Sequence, residues 1–247
     1  MKRHIAITAV ALCLCTTLAA QERLQNKPYI DLRQFHFGVV VGTHFQDLEL
    51  LNGGPQIITS DDGTEVEAIV VADQDRWDAG FNVGVLGELR LSKHFQFRIA
   101  PAMYFGTRHI TLHDLTTLDA NGDPTEQTQE MKSAYISLAA DLIFAAPRRG
   151  NRRPYIMAGL NPMLNLSGKN TDYLKLKSSD VFVEVGLGCD FYLPFFKLRP
   201  ELKFLYSLTS SLDTGHADDL RDANMLRYTN SVTEAHSKMI VLSFYFE

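Results

Sequence analysis

Eight stretches of this chain alternate apolar and polar residues with a period of two, and each runs for about ten residues or more. Successive side chains of a strand point to opposite faces, so each stretch has one apolar and one polar face. In the sixth, Val181, Val183, Val185, Leu187, Cys189, Phe191 and Leu193 share a face. Asp180, Glu184, Gly186, Gly188, Asp190 and Tyr192 oppose them, with Phe182 as the exception. The seventh sets Leu198, Leu202, Phe204, Tyr206 and Leu208 against Lys197, Arg199, Glu201, Lys203 and Ser207. The last sets Ile240, Leu242, Phe244 and Phe246 against Met239, Val241, Ser243 and Tyr245. The five earlier stretches follow the same rule, as in Phe35, Phe37 and Val39 against His36 and Gly38.

A strand of about ten residues is long enough to cross a bilayer at a tilt. The even count suits a closed barrel, and the links between stretches indicate its topology. Those at Ser92–His94, Arg148–Arg153 and Pro194–Phe196 are short, and the four between them are longer. Short and long therefore alternate, which places every long loop at one end, as in barrels with short periplasmic turns and long external loops. A soluble sandwich or lipocalin-like barrel also alternates, with its apolar face inside.

The N-terminus favours the membrane. Lys2, Arg3 and His4 precede an apolar run from Ile5 to Leu18, followed by Ala19 and Ala20. That is the order of a secretory signal peptide, and the run is too short for a spanning helix. Cys13 and Cys15 lie within it, which leaves Cys189 alone and rules out an internal disulfide in the mature chain. Removing the segment leaves 22 basic against 29 acidic residues, a formal charge of −7, which disfavours nucleic acid as a partner. The expectation is an all-β chain: a signal peptide over 1–20, a short periplasmic segment over 21–34, and an eight-stranded antiparallel up-and-down transmembrane β-barrel over 35–247. It places the barrel in the outer membrane, with lipid and lipopolysaccharide around it and both termini periplasmic.

Strand parity points a set of charges inward. Glu88, Asp141, Asp180, Glu184, Asp190 and Glu201 face Arg90, Arg98, Arg108, Arg199 and Lys203, and are expected to form one lumen network. Buried charges need partners, and an eight-stranded interior is just filled by side chains. Pro101, Pro162 and Pro200 oppose the scheme, because each removes a ladder donor. Bulges or early strand ends are expected there.

The segments FHFGVVVG (Phe35 to Gly42), GFNVGVLGELRL (Gly80 to Leu91), FQFRIAPAMYFGTR (Phe95 to Arg108), NRRPYIMAG (Asn151 to Gly159) and EVGLGCDFYLPFFKLRPELKF (Glu184 to Phe204) occur in an order that covers nearly the whole mature chain. In this the chain resembles PorT-type barrel proteins of the Bacteroidetes. The resemblance implies an accessory role in type IX secretion, with other components of that system as partners. A small structural or adhesive barrel remains the alternative, and a lipid-modifying barrel enzyme the second.

No cofactor is expected. GLGCDF lacks the turn and helix that a phosphate loop needs. His44, Thr107, His109 and His113 lie near the long-loop rim without the spacing of a catalytic triad. Asp119, Asn121, Asp123 and Glu126 offer hard oxygens for calcium, but Asn-Gly and Asp-Pro mark a turn there. Asp47, Glu49, Asp61, Asp62, Glu65, Glu67, Asp73 and Asp75 make the first long loop acidic, which suits either a solvated, partly disordered face or contact with a cationic partner or with divalent ions among lipopolysaccharide phosphates. Arg148, Arg149, Arg152 and Arg153 on one short turn form a candidate docking point for an acidic periplasmic partner.

Overall fold

The computed structural model describes residues 25–59, 65–167, 173–215 and 223–247. The expected signal segment 1–20, residues 21–24, Asp61 and Asp62 lie outside them. Eight long strands form a closed ring in chain order: β1 (Phe35–Asn52), β5 (Asp78–Arg90), β6 (Phe95–Leu118), β7 (Pro124–Ala145), β8 (Arg152–Asn165), β9 (Ser179–Tyr192), β10 (Lys197–Ser207) and β11 (Val232–Phe246). Every neighbouring pair is antiparallel. β1 closes on β11 with Val39 opposite Phe246 and His44 opposite Val241. Closure leaves the ring no sheet edge, so its backbone groups pair within the wall except beside the prolines.

The alternation sorts side chains as the period requires. Phe37, Val85, Ile99, Leu138, Leu187, Leu202 and Phe244 are exposed on the outside of the ring. Such a continuous apolar belt suits hydrocarbon. Phe95 and Phe144 pack 5.2 Å apart near the short turns, and Phe81 stacks on Phe105 at 5.2 Å towards the other end. Among the described residues no helix is long and apolar enough to cross a membrane.

The three prolines neither end a strand nor shift its register. β5 and β6 pair at Gly84–Ala102 and again at Gly87–Ile99 in one register, with the rungs beside Pro101 missing. On its other side Pro101 stays paired with Leu138. Pro162 opens the same gap towards β7 and Pro200 towards β9, while Pro162 stays opposite Val181 and Pro200 opposite Phe244. A strand residue directs its N–H to only one neighbour, so a proline removes pairing on one side alone.

Among the described residues the long-loop end is folded. The link after β1 forms a hairpin, β2 (Gln56–Thr59) with β3 (Glu65–Ala68), and then β4 (Val70–Asp73), which pairs with β6 beyond the ring. Asp47 and Glu49 belong to β1, Glu65 and Glu67 to β3, and Asp73 ends β4. The link after β6 is a tight turn at the tip of a long β6–β7 hairpin, because both strands run well past their neighbours. A short helix, α1 (Ala223–Thr229), precedes β11. Leu48, Val70, Ile110, Leu112, Leu174, Leu212 and Val232 pack together above the ring as an apolar cap.

Candidate functional site

The lumen is filled in layers. Nearest the short turns, Arg199 on β10 draws in three carboxylates. Its Nε donates to Asp190 Oδ1 at 2.6 Å, its terminal nitrogens reach both oxygens of Glu88, and Nη1 lies 3.2 Å from Glu247. Lys197 also pairs with Glu247, and His36 Nδ1 lies 3.5 Å from it. With its amide nitrogen turned towards Glu88, Gln96 donates to that carboxylate at 3.0 Å and accepts from Arg153 at 3.1 Å.

Next, Arg98 on β6 makes a bidentate pair with Glu201 on β10, 2.9 Å on each arm. β6 and β10 stand opposite each other in the ring, so this pair spans the bore. Arg98 Nε also donates to Asp141 at 2.9 Å, and the Tyr155 hydroxyl to Glu201 at 2.7 Å. The Arg98 guanidinium lies over the Tyr245 ring at 4.5 Å. Beside it, Glu184 accepts from Lys203 at 3.2 Å and from Asn161 at 2.9 Å. Such two-pronged pairs fix geometry as well as charge. Gly188 gives the Tyr155 ring its space, since a Cβ there would collide with the phenol. That is the use of one glycine in GLGCDF, while Gly186 lets the Leu202 carbonyl and Met157 approach, and both lie within β9.

Above this comes an apolar layer that includes Tyr104, Tyr135, Met163, Phe182, Leu205 and Met239. Arg108 follows, fully buried, donating to Gln46 Oε1 and Ser237 Oγ at 3.0 Å each. The apolar cap closes the top. Two residues read as network members are placed differently. Arg90 sits half-buried at the short-turn rim and donates to the carbonyls of Ser92 and Leu32 at 3.3 Å. Asp180 is buried towards the long-loop end and accepts from the hydroxyls of Thr209 and Ser211, not from a cation. Arg108 is likewise held by neutral groups. Lys197, Glu247, His36, Tyr155 and Asn161 belong to the layers but were not read as members. Parity could have supplied Lys197 and His36, whereas Glu247 lies beyond the last alternating residue.

The basic turn divides in two. Arg149 and Arg152 are exposed, but Arg148 and Arg153 face inwards and hold the segment from Gln25 to Gln34, which crosses the short-turn end as a strap. Arg148 donates to the carbonyls of Lys27 and Asn26 and lies over the Tyr192 ring at 3.6 Å. Asp31 accepts from the Tyr192 hydroxyl at 2.6 Å and lies 3.6 Å from Arg148 and 3.8 Å from Arg153. Two arginines of the turn, not four, are therefore exposed, and Arg152 lies over the Phe191 ring at 5.8 Å.

At the opposite rim, His44 is buried in the lumen, His109 binds Asp78 at 2.7 Å, and His113 pairs with Glu126 at 3.2 Å. Among the described residues no serine or threonine hydroxyl is hydrogen-bonded to these three. Asp119 uses Oδ1 on the backbone N–H groups of Asn121 and Asp123, at 2.8 and 3.0 Å. These donors hold its carboxyl below the usual range, and the residue works as a turn brace.

A family model described as an outer membrane protein beta-barrel domain matches residues 19–213. No curated protein sequence matches the chain. Among solved structures, OprG of Pseudomonas aeruginosa is similar at 10% identity and a TM-score of 0.47, over 92% of this chain and 97% of that one. Neisserial surface protein A is similar at 12% identity and 0.44, over 86% and 98%. Ail, the attachment invasion locus protein of Yersinia pestis, is similar at 11% identity and 0.39, over 87% and 99%.

Proposed function

Because the chain belongs to the outer membrane protein beta-barrel domain family, we propose that it is a sealed outer-membrane scaffold that works through its two ends and not through a bore. The Arg98–Glu201 pair carries this reading, since it ties opposite walls together across the lumen. The short turns and strap face the periplasm and the apolar cap faces outwards, following the usual distribution of loop lengths. Protease added to intact cells should cut the long-loop end and spare the turn at Pro147–Arg153. Cleavage at that turn instead would reverse the orientation. In planar bilayers the purified protein should give no steady large conductance, and an open channel would reject the sealed scaffold.

The pathway reading rests on the resemblance to PorT-type barrels. A sealed barrel cannot itself pass folded cargo, so its place in type IX secretion is that of an accessory. Arg149 and Arg152, the exposed half of the basic turn, are its contact for an acidic periplasmic component. Replacing both with Ser should lower export while the barrel still assembles. Comparing secreted proteins with and without the gene tests the pathway. Unchanged export, with no second copy substituting, would leave the structural or adhesive barrel.

A further inference from the structure

The short-turn end carries a cleft outside the lumen, walled on one side by the strap residues Asp31 and Leu32. It has a volume of about 360 Å³, and its walls include Arg90, Lys93, His94, Arg148 and Arg153 against a single acid, Asp31. The arginine donors are largely engaged by backbone carbonyls, Arg153 donating to those of Ala146 and Lys93. They therefore supply field more than contacts. Lys93 is exposed and has no acidic partner among the described residues, so its ammonium is free to bind. A second, apolar crevice of about 260 Å³ lies next to the cleft on the outer wall, between Phe144, Ala146, Pro154 and Ile156. The two adjoin at His94, whose ring lies 6.0 Å from Phe144 and whose Nδ1 is 2.9 Å from the Ala145 carbonyl. The crevice opens onto the apolar belt, where lipid chains stand.

A cationic cleft joined to an apolar crevice at the edge of a membrane belt fits a molecule with a phosphate at one end and an acyl chain at the other. We propose that this rim is a binding site for an anionic glycerophospholipid, its phosphate at Lys93 within the field of Arg90, Arg148 and Arg153, and one acyl chain in the crevice. The choice of a phospholipid over lipopolysaccharide rests on the orientation proposed above, which puts the short turns at the inner leaflet. The charge asymmetry agrees, because basic groups beside an anionic leaflet each contribute about 1 kcal/mol of attraction.

The test reconstitutes the full chain in vesicles of phosphatidylcholine with or without phosphatidylglycerol, and reads retained lipid by native mass spectrometry after extraction. Phosphatidylglycerol should be retained in preference to phosphatidylcholine. Lys93→Glu should lower that retention about tenfold or more, since it reverses one charge at the headgroup. Ala146→Phe, which fills the crevice without touching a charge, should lower it as well. Both variants should keep the heat-dependent gel shift of a folded barrel. Equal retention of the two lipids would overturn the site, and so would indifference to Lys93→Glu in a folded protein. Loss on Lys93→Glu with no effect of Ala146→Phe, together with displacement by inorganic phosphate, would leave a bare anion site and reject the lipid. Protein extracted from cells that retains lipopolysaccharide instead, lost in the same variants, would reject the phospholipid and point to the reversed orientation. Retention of an acidic protein with no lipid preference would also reject it.

Discussion

At Arg199 a single guanidinium holds Glu88, Asp190 and Glu247 out of water. Removing it by Arg199→Ala takes the cation from two buried acids, Glu88 and Asp190, and leaves Glu247 to Lys197 alone. The expected loss is about 3 kcal/mol or more, read as a lower temperature for loss of the folded gel mobility. Arg90→Ala, at a rim position bonded to carbonyls, should cost far less in the same measurement. Gly188→Ala pushes the Tyr155 ring away from Glu201 and should also lower that temperature, although it adds only one methyl. The inward direction of Arg98, Asp141, Glu184 and Arg199 was legible from parity alone, because a strand sorts its faces strictly. The partners were not legible. Arg98 meets Glu201 from across the ring, 103 residues away in sequence, and local patterning does not specify which opposite walls meet at one height. Arg90 and Asp180 were misread for a related reason. Parity gives the face but not the depth, and both lie near strand ends where other partners are within reach.

The β6–β7 hairpin continues the inward face of the barrel beyond the ring, where its residues change from Arg98 and Arg108 to Ile110 and Leu112. Those apolar residues make the cap possible, and side-chain amides fasten it. Asn52 bonds both the N–H and the C=O of Ala72, and Gln129 does the same for Leu174, each standing in for a strand rung. Leu112→Ala should therefore loosen the cap by about 2–5 kcal/mol. The measurable outcome is faster proteolysis of the long-loop end with little change in the heat stability of the ring. At the hairpin tip, Asp119 has a folded-state value below its unfolded one. Its contribution is present above the unfolded value and disappears as pH falls through the depressed one. Amide exchange at Asn121 and Asp123 should accelerate in that acid window, and in Asp119→Asn over the whole pH range. The eight strands were legible because their alternation is long. The cap was hidden because its apolar residues are scattered over three links and the ends of β1, β6 and β11, and belong together only once the ring sets those segments side by side. The prolines misled for a different reason: sequence marks the missing donor but not which neighbour it would have faced.

As a whole the molecule has a basic end, an apolar waist and a folded acidic end. The sealed lumen proposed above rests on its layers of buried pairs, of which Arg98–Glu201 spans the bore. The strap is built from residues near the beginning of the chain, while the groups that grip it come from the turn between β7 and β8 and from the end of β9. Likewise β1 finds its second neighbour only in β11. Contacts that join such distant stretches carry the largest loop-closure cost, so they form after the local hairpins. The strap thus serves as a latch, and its gain falls on the lifetime of the finished barrel more than on the speed of its making. Asp31→Ala should leave the rate of folding into detergent or lipid nearly unchanged and raise the rate of unfolding. A matched slowing of folding would mean that the strap is already seated when the barrel closes.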